Sequence, residues 1–190
     1  MPSPGVPVWG LWIRAVHWAV AAIVVVDLLN EAGANPWHRN LGYAAAALVV
    51  LRLGVGAVLK GHANPVVMVQ AAMRAPSHAR AVVTGRSRPS IGHNPLGALM
   101  SFTIWTLVLF LGVTGWMTQL DRFWGEEWLQ DLHAAGAYAL GVCAAVHVLG
   151  VFRASRIYGR NVATSMITGR KRLADLGGDT PPTSSGSSAR

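Results

Sequence analysis

The chain has one cysteine, Cys143, and it lies inside an apolar run. This excludes a disulfide framework, a paired-cysteine metal site and a C-x-x-C-H attachment motif. Charge is also scarce. Asp, Glu, Lys and Arg make up 13% of the residues against 52% hydrophobic, and none of the four occurs between Arg88 and Asp121. That is the composition of a membrane protein rather than of a soluble core. Acid is scarcer still, with eight Asp and Glu against sixteen Lys and Arg. The basic residues flank apolar runs and form no recognition helix, which argues against nucleic acid as a partner. Histidines at i and i+4 are missing, so the common zinc or copper spacing is absent.

What is present is a set of four apolar segments, about 9–29, 38–59, 94–120 and 130–152. They predict an all-α integral membrane protein, a four-helix up-down transmembrane bundle over residues 1–172, followed by a disordered tail, 173–190. The first segment has an uncharged core of only twelve residues between Arg14 and Asp27. A signal peptide cleaved near Ala32-Gly33-Ala34 is the alternative there. Trp9, Trp12 and Trp18 form an interfacial belt, which favours a retained span. In the second segment Arg52 follows His38 by fourteen residues and shares its face. It either points into the bundle toward an anion or snorkels to the interface. Residues 60–90 carry five basic side chains and no acid. They predict two short helices after Pro65 and Pro76, the first lying on anionic membrane lipid. His62 and His78 in this loop are read as solvated. Gly97, Gly112 and Gly115 in the third segment allow close approach by a helix or a flat cofactor.

Histidine inside a spanning helix is rare and marks a functional site by default. His133 and His147 share the fourth segment, and fourteen residues at ~1.5 Å each separate them by ~21 Å on nearly one face. Positive charge gathers in the second loop and the C-terminal segment, so both termini are expected in the cytoplasm. On that topology His17 and His147 lie at the cytoplasmic depth, His38 and His133 at the outer depth. Hydrogen-bonded interfacial histidines are the plain alternative. Two facing imidazoles leave room for a planar macrocycle, and axial histidine is a standard haem ligand. The geometry therefore favours two haems, of b type because the covalent attachment motif is absent. Gly42 and Gly136, close after the ligands His38 and His133, suit helices that must let a ring lie near.

The start RAVHW (Arg14 to Trp18), the HRNLGY opening of the second span, GHNPLGA at the third and LHAAGA with a later His147 in the fourth form one combination. With it the chain resembles the bacterial cytochrome b561 and nickel-iron hydrogenase b-type cytochrome superfamily. The resemblance implies a di-haem cytochrome of the bacterial cytoplasmic membrane that passes electrons between the quinone pool and a redox partner. It implies His17 and His147 as ligands of the cytoplasmic-side haem and His38 and His133 as ligands of the outer one. The fifth span of some hydrogenase subunits is absent. The expected partners are therefore quinone and a periplasmic c-type cytochrome or another redox subunit, with a homodimer as a further expectation. Arg14 and Arg52 are candidates for the haem propionates. His93 and Asn94 are candidates for a quinone carbonyl, with helix entry as the structural alternative for GHNP. Asp27 either relays a proton or caps its span. An ion or proton transporter and a haem-free membrane anchor are the rival readings.

Overall fold

The computed structural model describes residues 5–30, 35–58, 64–84, 94–157, 159 and 161–172. In chain order these form β1 (Gly5–Pro7), α1 (Leu11–Leu29), α2 (Pro36–Val58), α3 (Pro65–Ala72), α4 (Ala75–Val83), α5 (Pro95–Met117), α6 (Glu127–Ile157), α7 (Thr164–Thr168) and β2 (Arg170–Arg172). Four of the helices, α1, α2, α5 and α6, are long and apolar enough to cross a membrane. The sequence expectations for Ala32-Gly33-Ala34, His62, His93 and the tail 173–190 lie outside the described residues.

Three helices start on the same dipeptide. Asn35-Pro36, Asn64-Pro65 and Asn94-Pro95 open α2, α3 and α5. Proline suits the first helical position because its φ is already set and its missing N–H would have had no partner there. Each asparagine oxygen then accepts from one of the orphan N–H groups, at Trp37 (3.0 Å), Val66 (2.9 Å) and Gly97.

Each spanning helix buries one stripe. Val16, Val20 and Val24 of α1 recur every fourth residue and meet Ala45 and Val49 of α2, Val108 of α5 and Leu140 of α6. Because α1 supplies three of these core residues, it is a full member of the bundle. The opposite faces carry exposed Val25, Val26, Val50, Leu51, Val113, Tyr138, Val142 and Leu149. An apolar exterior of that extent belongs in hydrocarbon. There helices associate by close packing rather than by hydrophobic burial, and small residues permit it. A Cβ on Gly112 would stand 2.9 Å from Cβ of Ala46 on α2, and one on Gly136 would stand 2.7 Å from the Phe110 ring on α5. Gly136 thus serves contact between α5 and α6.

The fourth helix exceeds its expected limits at both ends. Its 31 residues at ~1.5 Å each span ~46 Å against a hydrocarbon core of ~30 Å. Glu127 in the first turn and Arg156 in the last complement the helix dipole, so the charged ends continue the helix instead of stopping it.

Beyond α6 the chain returns to the start of α1. β1 and β2 pair antiparallel with Gly5 opposite Arg172, and the N–H groups of Val8 and Trp9 donate to the Gly169 carbonyl at 2.8 and 3.1 Å. The segments before α1 and after α6 therefore sit at one end of the bundle, as an even number of spans requires.

On the same end α3 packs across α2 and α5, burying Met68 and leaving Val66 and Val67 exposed. Arg52 is 4% exposed, with its guanidinium 3.9 Å from the Met68 sulfur and 5.3 Å from the Trp105 ring centre. Arg52 is thus buried among neighbouring helices, as the inward half of its expectation requires. Its guanidinium lies over an aromatic face, a cation–π contact.

Candidate cofactor site: two histidine pairs

The four intramembrane histidines are half-buried and come together two by two. His17 of α1 faces His147 of α6 with ring centres 6.3 Å apart and planes at 61°. His38 of α2 faces His133 of α6 with ring centres 6.1 Å apart and planes at 85°. The depth pairing expected from the sequence is thus the pairing found in space. Taking ~2.0–2.1 Å for a metal–imidazole bond and ~1.1 Å from nitrogen to ring centre, two axial imidazoles on one metal would hold their ring centres ~6.2–6.4 Å apart. Both spacings agree with that value to within a few tenths of an ångström. Among the described residues no three His, Cys, Asp or Glu side chains converge as a multi-ligand metal site would need.

Around His38 and His133 lies a cavity of about 550 Å³, within the usual range for cofactor pockets. Gly42, Gly112 and Gly115 form part of its wall, and a Cβ on Gly115 would lie 3.2 Å from Cε1 of His133. The bare Gly115 leaves room for the His133 ring, and two facing imidazoles beside a cavity of this size fit a haem. At the rim Arg39 donates to the Gln119 side-chain oxygen at 3.3 Å, next to Tyr43, Thr118 and Trp124. Arg39 directly follows His38, and the sequence reading passed over it although it stands inside the HRNLGY motif.

The ring nitrogens of this pair have neighbours of their own. The buried Thr114 oxygen lies 2.8 Å from Nδ1 of His133 and also 3.0 Å from the Phe110 carbonyl. Nδ1 of His38 lies 3.4 Å from Oδ1 of Asp27. Asp27 therefore turns its carboxylate to the second helix instead of capping its own, and only its backbone carbonyl takes the Asn30 N–H. Thr114 escaped sequence reasoning because a threonine within an apolar span gives no signal of its own.

At the other end Arg14, one turn before His17, donates to the Ile167 carbonyl, and its Nε is buried without a hydrogen-bond partner. Trp18 donates from Nε1 to the Met166 carbonyl at 3.1 Å. Asn94 occupies the helix-entry position, its side-chain oxygen committed to Gly97 N–H.

Four helices long and apolar enough to cross a membrane, with two pairs of facing histidines between them, are the arrangement of an integral membrane protein with paired imidazoles inside its bundle. The chain belongs to the prokaryotic cytochrome b561 family, whose model matches residues 8–169. It is therefore a multi-pass bacterial membrane protein that binds haem b and transfers electrons. Neither a curated protein nor a solved structure matches the chain.

Proposed function

We propose that the chain carries two b haems, one between His17 and His147 and one between His38 and His133, and relays electrons across the cytoplasmic membrane between quinone and a redox partner. The observation that carries this reading is the equal spacing of the two imidazole pairs, 6.3 and 6.1 Å between ring centres. Haem iron supplies the one-electron chemistry. The protein would supply the imidazole nitrogens of the four histidines to hold the haems, an apolar surround and charge. α6 is common to both sites and fixes their separation, ~21 Å along its axis for fourteen residues. Arg14, with its unpartnered Nε, and the inward Arg52 supply positive charge for propionates at the His17 end, and Arg39 does so at the His38 end.

His93 and the amide nitrogen of Asn94 are the proposed contacts for a quinone carbonyl, since the Asn94 oxygen is already used as a helix cap. The basic second loop and C-terminal segment support cytoplasmic termini, which sets His17 and His147 on that side. The outer pair then exchanges electrons with a periplasmic c-type cytochrome or another redox subunit.

Purified protein should give a reduced-minus-oxidised spectrum of low-spin b haem with two non-covalent haems extracted per chain. One haem per chain, or haem that stays with the denatured polypeptide, would contradict the proposal.

A further inference from the structure

A ligating histidine usually donates its second ring N–H to a fixed acceptor, which sets the tautomer and raises the basicity of the ligating nitrogen. Each histidine of the outer pair has an oxygen close to Nδ1 that can serve as such an acceptor, and the two oxygens differ in charge. On α5 the Thr114 hydroxyl has one proton to give. It lies 3.0 Å from the Phe110 carbonyl, which can only accept, and 2.8 Å from Nδ1 of His133. With the proton given to Phe110, the threonine oxygen accepts from Nδ1–H, and Nε2 of His133 keeps its lone pair.

On α1 the partner is a carboxylate. Oδ1 of Asp27 and Nδ1 of His38 are both buried, and neither makes a hydrogen bond, although they stand 3.4 Å apart. Two buried polar atoms left unmade cost free energy that a small ring rotation recovers. Gly42, one turn after His38, lies beside the carboxylate, where a Cβ would stand in ordinary contact, 3.9 Å from Oδ2.

We propose that Asp27 and Thr114 are positioning residues for the outer site: they take the Nδ1 protons of His38 and His133, present both Nε2 atoms to one iron, and through the Asp27 charge hold that haem at a lower potential than a neutral partner would. The inference rests on the haem assignment above. A carboxylate acceptor gives the imidazole anionic character, which stabilises ferric over ferrous iron, and such hydrogen bonding is one of the protein's main controls on potential.

The test is a redox titration of the purified, haem-loaded protein and its variants. His38→Ala is measured first, to identify the component that belongs to the outer pair. If the wild type holds no haem, or His38→Ala leaves every component in place, the haem assignment itself has failed and this inference falls with it, before any Asp27 variant is read. With the component identified, Asp27→Asn should raise its midpoint by a tenfold change in the reduction equilibrium, ~59 mV for one electron, with the other haem unmoved. Asp27→Glu should restore the wild-type value, and Thr114→Val should shift the same component upward by less. If Asp27→Asn loses the outer haem, retention at wild-type potential in Asp27→Glu supports the proposal and loss in both overturns it. An unchanged midpoint in Asp27→Asn, or an equal shift of both haems, also overturns it.

Discussion

A methyl group added at position 115 would stand 3.2 Å from Cε1 and 3.8 Å from Nδ1 of His133, whereas one added at Gly54 meets nothing within 4 Å. Both glycines lie inside helices, where alanine is the better helix former by ~1 kcal/mol. Gly115→Ala should therefore lower the haem content at the outer site by displacing the ligand ring, and Gly54→Ala should leave it intact, as read by haem extraction per chain. Gly169 makes a different demand. Its φ is +76°, and a Cβ there would lie 2.6 Å from the Trp9 carbonyl oxygen. Gly169→Ala should cost at least ~1–2 kcal/mol from the left-handed backbone alone, seen as a lower thermal midpoint with the haem spectrum of the remaining folded protein unchanged. At this scale the sequence revealed the histidine pairs but not the side chains that neighbour them. Histidine in an apolar span stands out by rarity, so His17, His38, His133 and His147 could be picked and paired by depth. The contacts of Asp27 with His38 and of Thr114 with His133 depend on how each helix is rotated about its axis, which a spacing count does not give.

The Asn-Pro starts govern the elements. Replacing Asn94 by alanine removes the acceptor for Gly97 N–H, a loss of ~1 kcal/mol in stability, and replacing it by aspartate retains that acceptor. Asn94→Ala should thus lower the thermal midpoint while Asn94→Asp does not. If the Asn94 amide also meets quinone, both variants should slow reduction by quinol. Comparison of the two midpoints with the two rates separates the cap from the contact. Helix existence and order were legible because the apolar runs are long and bounded by charge and tryptophan. The ends were less so: α6 runs past Phe152 to Ile157 because Arg153 and Arg156 extend the helix out of the hydrocarbon. The ladder of β1 on β2 was not legible, since three-residue strands paired through backbone groups leave no side-chain pattern to read.

For the whole molecule, β1 and β2 and the contacts of Arg14 and Trp18 with the segment after α6 hold both chain ends at one end of the bundle. On the proposed topology, supported by the basic second loop and C-terminal segment, that end faces the cytoplasm. A reporter fused after Arg190 should be active in its cytoplasmic form only, and periplasmic activity would reverse the faces of both haem sites. The proposed relay requires α6 to be shared between two independent sites. The measurement that tests this most directly is a spectroelectrochemical titration of four single variants, His17→Ala, His38→Ala, His133→Ala and His147→Ala. His17→Ala and His147→Ala should remove, or convert to high spin, the same component, and His38→Ala and His133→Ala the other. A His17→Ala spectrum that matched His133→Ala rather than His147→Ala would contradict the account.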